Sequence, residues 1–239
     1  MVRDNQNMTI FFDIDDTLYD RSQPFRAAAK EFFQGAVQDL NDAYRKCCAR
    51  GDEVFHASQR GEISMDEMYI YRWGRGFADA GISIAPGEAL EFQRLYRRNQ
   101  DYITLSPVIE EMLRYCSGKT DIGIITNGPS EKQWNKILRL GLERFMSREM
   151  MIVSADVGVD KPDPAIFRIA EKRSGADPGE LLYVGDSLDN DIFSAEECGW
   201  HTLWYNRKGL QTPEDIHPEA IVRNEEELAE EVKRIGFRC

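Results

Sequence analysis

Four short segments carry residue types that could do chemistry together. They are Asp13-Ile14-Asp15-Asp16-Thr17-Leu18, Thr126-Asn127-Gly128, the Lys161-Pro162 step, and Gly185-Asp186 with Asp189 and Asp191 beyond it. Taken singly, each has a plainer use. Asp and Thr runs cap helices, Asn-Gly forms turns because asparagine and glycine tolerate positive φ, and Lys-Pro is commonly a solvated loop. The first segment differs because an apolar, β-prone run, Thr9-Ile10-Phe11-Phe12, leads straight into it. Carboxylates gathered at one strand end repel one another and lose hydration, a cost that a divalent cation with oxygen ligands offsets. Magnesium is the first candidate for that cation.

The elements that must position these residues can be read from the pattern. Ile122-Gly123-Ile124-Ile125 runs into Thr126, Met151-Ile152-Val153 into Ser154-Ala155-Asp156, and Leu181-Leu182-Tyr183-Val184 into Gly185-Asp186. Each reads as a buried parallel strand ending in a polar loop. Thr202-Leu203-Trp204-Tyr205 is a fifth strand candidate. Helical patterns lie between them: Val108, Met112 and Cys116 with Ile109 and Leu113 on one face, then Glu131 to Leu140, then Pro164 to Arg173 with proline in the first turn. Strand alternating with helix predicts an open, mostly parallel α/β sheet. In such sheets ligands bind at the carboxyl ends of the strands, so Asp13, Asp15, Thr126 and Asp186 are expected to converge.

The alternation stops between Leu18 and about Thr104, where amphipathic helices take over. Phe25, Ala29, Phe32, Ala36 and Leu40 outline one helical stripe, and Gly51, Gly61, Gly81 and Gly87 are expected to divide the rest into pieces, including Met65 to Ala80 and Glu88 to about Gln100. The spacing therefore predicts an α-helical domain over 18–104 inserted into a core made of 1–17 and 105–239. At the far end Asn224 with Glu227 resembles a capping box, ahead of a closing helix with Leu228, Val232 and Ile235 on its apolar face.

Composition bounds what such a core can bind. The chain has 239 residues, is 42% hydrophobic and 30% charged, and carries a formal net charge of −12. A strongly acidic surface argues against nucleic-acid polymers and anionic membranes, which are held by basic patches. A small anionic ligand is compatible, given a cation and one or two lysines inside an acidic molecule. The five cysteines, Cys47, Cys48, Cys116, Cys198 and Cys239, show neither zinc nor redox spacing, and no apolar run has membrane-spanning length. The expectation is a cytoplasmic protein with reduced thiols, acting as a monomer or homodimer.

The four segments, in this order, resemble the signature motifs of the haloacid dehalogenase (HAD) superfamily of phosphatases. Asp13-Ile14-Asp15-Asp16-Thr17-Leu18 is similar to the first motif and Ile124-Ile125-Thr126-Asn127-Gly128 to the second. Val159-Asp160-Lys161-Pro162-Asp163-Pro164 is similar to the third, and Val184-Gly185-Asp186-Ser187-Leu188-Asp189-Asn190-Asp191 to the fourth. The resemblance implies a Rossmann-like core with a helical cap between the first and second motifs. It implies that Asp13 is the nucleophile, attacking phosphorus to form an aspartyl phosphate, and that Asp15 protonates the leaving alcohol and then activates water. Magnesium would be held by the Asp13 carboxylate, the Asp15 backbone carbonyl and the Asp186 carboxylate, with Asp191, rather than Asp189, orienting bound water or Lys161 from behind. Lys161 would neutralise phosphate and Asp13. Thr126 and the Asn127 amide would donate to phosphate oxygens, with Gly128 allowing close approach of the backbone.

Within that superfamily the phrasing is similar to house-cleaning 5′-nucleotidases and to acylneuraminate or glycolate phosphatases. The implied substrate is a small phosphate monoester: a nucleoside monophosphate, a sugar phosphate or phosphoglycolate. A dehalogenase shares the nucleophile but has no use for the second acid, since halide leaves without a proton; a phosphomutase shields the aspartyl phosphate from water. A binding protein that keeps the fold for regulation is the alternative of another class, against which the intact acids speak. His56, His201 and His217 lack ligand-like grouping. In the cap, Phe25, Tyr71, Trp73 and Tyr96 are expected to pack, and Arg97 and Arg98 to lie on a solvated helix face.

Overall fold

The computed structural model describes residues 7–237 except Ala36 and Gln38, without the side chains of His56 and Gln59. Six parallel strands form one sheet: β1 (Thr9–Phe12), β2 (Ile122–Thr126), β3 (Met151–Val153), β4 (Leu181–Gly185), β5 (His201–Tyr205) and β6 (Ala220–Val222), in the order β3-β2-β1-β4-β5-β6. The five strands read from the sequence are present. β6 is an addition: three residues at a sheet edge are too few to show a period, and pairing with β5 specifies them.

The chain divides into two compact units, one comprising Met1–Asp20 and Thr104–Cys239, the other Arg21–Ile103. The second unit holds four helices, α1 (Gln23–Phe33), α2 (Leu40–Gln59), α3 (Met65–Asp79) and α4 (Pro86–Asn99). Ser64 caps α3 by accepting from the Glu67 N–H while Glu67 accepts from the Ser64 N–H, so two orphan donors are satisfied at once. Phe25, Trp73, Phe77 and Phe92 are fully buried and form the centre of this unit, with Trp73 and Phe92 centroids 4.9 Å apart. Tyr96 packs on Trp73, Tyr71 donates to Glu53, and Arg98 pairs with Glu31 on the surface.

Two expectations for this region are corrected. The stripe from Phe25 to Leu40 is not one helix: α1 ends at Phe33, Gln34 and Gly35 take positive φ, and Leu40 begins α2. Ala36 lies outside the described residues. Gly51 and Gly87 also do not separate helices. Gly51 lies inside α2, where Arg72 fills the space a side chain would take, its Cδ 3.0 Å from the place of a Cβ, and Gly87 lies in the first turn of α4. Gly61 and Gly81, both with positive φ, do mark the breaks.

The first unit carries the sheet with α5 (Pro107–Ser117), α6 (Ser130–Leu140), the short α7 (Ser154–Val157), α8 (Pro164–Ser174), a π-helical turn over Leu188–Phe193 running into the short α9 (Ser194–Glu197), and α10 (Glu225–Gly236). Ile10, Phe11, Phe12, Ile124, Ile125, Tyr183 and Val184 are fully buried, so the central strands β1, β2 and β4 read as apolar runs because both faces are covered. Asn224 caps α10 by accepting from the Glu227 N–H, while Glu227 reaches the Arg223 N–H instead of closing the box on Asn224. Among the described residues Cys47, Cys48, Cys116 and Cys198 are free thiols, and no helix is long and apolar enough to cross a membrane. Cys239 lies outside the described residues.

Candidate active site

The sheet order dictates which loops meet. β1 lies between β2 and β4, with Phe12 opposite Ile124 on one side and Val184 on the other, so the next residues of these strands end side by side. Asp13 continues the ladder, its N–H donating to the Val184 carbonyl at 2.9 Å. The first, second and fourth motifs are neighbours for this reason alone.

Lys161 supplies the buried positive charge. Its Nζ lies 2.8 Å from Asp13 Oδ1, 2.6 Å from Asp191 Oδ1 and 2.8 Å from the Tyr183 hydroxyl. An ammonium has three N–H donors, and three acceptors surround this one. Any phosphate contact by Lys161 thus requires one of these bonds to be exchanged, so in this arrangement its charge acts first on Asp13. The Tyr183 hydroxyl donates onward to the Ile125 carbonyl at 2.9 Å, tying the lysine to the sheet. Burial alone would lower the Lys161 pKa, but Asp13 and Asp191 outweigh it and hold it well above the ordinary lysine value.

Asp191 reaches this point from the π-helical turn. Its Oδ2 accepts from the Ser187 N–H at 3.0 Å, and the close approach needs Gly185, where an added Cβ would lie 2.4 Å from that same oxygen. Asp186 is mostly buried beside it, with Lys208 Nζ 3.4 Å from its Oδ2. Carboxylate oxygens of Asp13, Asp186 and Asp191 all lie within 4.8 Å of one another. Asp189 is exposed, on the outer side of the turn.

Burial pushes the Asp13 carboxyl up to about 8, with Lys161 opposing and Asp191 and Asp15 adding to the rise. Asp186 is pushed up to about 6, again by burial first, with Lys208 opposing. Two carboxylates bonded to one buried ammonium, with a third beside them, leave an excess of negative charge. A hard divalent cation with oxygen ligands fits this donor set, because its charge would offset both the lost hydration and the mutual repulsion of the carboxylates.

Asp15 stands apart from that triad. Lys136, on α6, reaches both of its oxygens, at 2.8 Å and 2.6 Å, and the Tyr19 hydroxyl donates to Oδ1 at 2.8 Å. Buried Gln133, one turn before Lys136, donates to the Thr126 hydroxyl and stands 3.5 Å from Asp15 Oδ2, so it connects the first and second motifs. Arg207 pairs with Asp20 at 3.2 Å and lies 3.9 Å from Asp16, which adopts a positive φ of 63° at the turn. The Thr17 hydroxyl is buried without a hydrogen-bond partner among the described residues.

The second motif is also tied to the third. The Asn127 side-chain amide donates to the Lys161 carbonyl at 2.7 Å and its oxygen accepts from the Lys161 N–H at 2.9 Å. This side chain thus clamps the third motif to the second, and one N–H of its amide stays available to another acceptor. Gly128 has a φ of 143°, and its N–H is taken by the Ser154 hydroxyl at 3.0 Å. A cavity of about 620 Å³ opens beside Asn127, Gly128, Ser154 and Asp160, with neither Asp13 nor Asp186 in its lining.

Tyr183, Gln133 and Lys136 went unnoticed in the sequence. Tyr183 carries the one hydroxyl of an otherwise apolar strand, a signal that was available. Gln133 and Lys136 stand at i, i+3 on the helix that follows the second motif, a pairing with meaning only once Asp15 is known to face it. His201 pairs with Glu219, away from the triad.

Comparison with known proteins bears on this geometry. Residues 8–199 match the family of haloacid dehalogenase-like hydrolases. The chain is 28% identical to the glyceraldehyde 3-phosphate phosphatase of Methanopyrus kandleri, over 95% of this chain and 97% of that one. It is 29% identical to the pyrimidine 5′-nucleotidase YjjG of Escherichia coli, over 92% and 95%. The solved structure of Bacillus subtilis YfnB bound to magnesium superposes with a TM-score of 0.67 at 25% identity, covering 95% of this chain and 98% of that one.

Proposed function

The chain belongs to the haloacid dehalogenase-like hydrolase family, and on that premise we propose that it is a magnesium-dependent phosphatase of small phosphate monoesters. The observation that carries the reading is the cluster of Asp13, Asp186 and Asp191, with Lys161 paired to Asp13 and Asp191, and a further carboxyl, Asp15, two residues past the nucleophile. Relatives that act on glyceraldehyde 3-phosphate and on pyrimidine nucleotides support a three-carbon or nucleoside monophosphate as substrate. We assign the choice among them to the four-helix unit.

Asp13 Oδ attacks phosphorus, and the bond from phosphorus to the leaving oxygen breaks as Asp15 delivers a proton to that oxygen. Water then attacks the aspartyl phosphate, giving its proton to Asp15, and Asp13 is restored as phosphate leaves. Lys161 opposes the rise in the Asp13 pKa and aims its carboxyl, and Asp191 and Tyr183 fix Lys161. Thr126 is held towards the site by Gln133 as a donor to phosphate. Magnesium would be held by the carboxylates of Asp13 and Asp186 and the carbonyl of Asp15, and would supply the positive charge that lets an anionic nucleophile meet an anionic substrate.

The test is phosphate release from glyceraldehyde 3-phosphate, pyrimidine nucleoside monophosphates, phosphoglycolate and hexose phosphates, with magnesium and with a chelator. Hydrolysis of at least one ester is expected, lost with the chelator and reduced at least about 10³-fold in Asp13→Asn, which removes the nucleophile. Unchanged turnover in either arm would refute the mechanism.

A further inference from the structure

The assignment of Asp15 as proton carrier leaves open what holds its carboxyl at the leaving oxygen. Resting on that reading, we propose that Lys136 is a positioning residue that sets the orientation of the Asp15 carboxyl for leaving-group protonation. A proton carrier must stand within about 3 Å of its target oxygen, so rotation of a free carboxyl would spoil transfer. Lys136 prevents that rotation in the ionised state by meeting both oxygens with one ammonium, at 2.8 Å and 2.6 Å. Once Asp15 is protonated, the ammonium keeps one oxygen while the other turns its O–H to the leaving oxygen. Tyr19 meets Oδ1 and Gln133 lies near Oδ2, so the group is approached on both oxygens by more than one donor.

The pair differs from an ordinary surface ion pair. The side chains of Lys136 and Asp15 retain only 24% and 21% of their exposure, whereas most other ion pairs of the chain are open to solvent on at least one side. Lys136 also stands on a rigid platform, since α6 is anchored by buried Gln133, Ile137 and Leu140. Lys132, on the same helix, is exposed. The spacing Gln133–Lys136 places one residue on the Thr126 hydroxyl and the next on Asp15 from a single helix face, coupling the phosphate-binding and proton-transfer halves of the site.

The bond chemistry makes the role measurable. In the first half-reaction the Asp13–phosphorus bond forms, the phosphorus–leaving oxygen bond breaks, and the Asp15 proton goes to the leaving oxygen. An alkoxide needs that proton; a 4-nitrophenolate leaves without it. Because kcat/KM reports only steps up to departure of the leaving group, the ratio of its values for an alkyl and an aryl phosphate isolates the protonation step from later hydrolysis of the aspartyl phosphate.

The experiment compares glycerol phosphate with 4-nitrophenyl phosphate for the parent chain, Lys136→Met, Lys136→Arg and the control Lys132→Met, with circular dichroism to check folding. Lys136→Met is expected to lower kcat/KM for the alkyl ester by about tenfold or more and for the aryl ester by less than about threefold, a part of the 10²–10⁴ that acid catalysis supplies. Lys136→Arg, which can present two N–H groups to one carboxylate, should recover most of the loss, and Lys132→Met should change neither ester. Equal losses on both esters, or none, would overturn the proposal. Should Lys136→Met misfold, Lys136→Gln is measured in its place, and equal losses on both esters, or none, in that variant would do the same. A parent chain that hydrolyses neither ester nor any of the metabolite panel sinks the phosphatase reading first, and the role of Lys136 with it.

Discussion

Gly185→Ala tests the geometry of the site through one methyl group. The new Cβ would lie 2.4 Å from Asp191 Oδ2 and 2.6 Å from its Cβ and Cγ. Ordinary carbon contacts are about 3.5–4.0 Å, so Asp191 must retreat by about 1 Å. Its Oδ1 now stands 2.6 Å from Lys161 Nζ, and a retreat of that size takes the bond to about 3.6 Å, outside hydrogen-bond range. Overpacking of a dense interior costs about 1–3 kcal/mol, and loss of a charged hydrogen bond about 1.5–3 kcal/mol. The two share one displacement and do not add in full, so the expected loss is about 3 kcal/mol. With a urea dependence of about 2 kcal/mol per molar, the unfolding midpoint of the sheet-bearing unit should fall by about 1.5 M. Trp200 and Trp204, both buried in that unit, report it by fluorescence. Phosphatase activity should fall at least about tenfold as Lys161 loses an anchor. Gly179→Ala, with nothing within 4 Å of the added carbon, is the control. A midpoint within about 0.3 M of the parent, with activity within about twofold, would refute the packing argument.

The remaining predictions concern charge. The Asp13 carboxyl is pushed up to about 8, so between about pH 4 and pH 8 the folded metal-free chain keeps a proton that the unfolded chain releases. Its stability contribution therefore falls as pH rises through that window, by at most about 1.4 kcal/mol per pH unit. A cation taking that carboxylate must displace the proton. The rise in melting temperature on adding magnesium should accordingly be larger at pH 8 than at pH 6, and an equal rise at both would contradict the assignment. Lys161→Met leaves two buried carboxylates facing each other; chemical denaturation should show a loss of about 3–5 kcal/mol, and turnover should drop at least about 10²-fold. Lys161→Arg should not restore turnover, because a planar guanidinium cannot take the place of a compact ammonium among three acceptors.

Much of this protein was legible in one dimension. Apolar runs ending in acids determine strands whose polar ends share one edge of the sheet, since a buried parallel strand must be hydrophobic on both faces and hand its polar residues to the loop. That is enough to bring Asp13, Asp186 and Thr126 to one side. The helical register of α3, α4, α5, α6 and α8 follows from spacing and caps in the same way.

What the tertiary structure decided is the partner of each polar group, because hydrogen-bond partners distant in sequence leave no periodic trace. Nothing near Asn127 marks it as a clamp on the Lys161 backbone, and the lone hydroxyl of Tyr183 on an apolar strand signals a buried polar partner without naming the ammonium it meets. The break of α1 at Gln34 was hidden for a related reason: an apolar spacing can continue across a chain reversal that only packing reveals. Asp15 shows the division most clearly. Its place two residues after Asp13 follows from the sequence, but its orientation towards Lys136, from a helix 121 positions away, exists only in the fold.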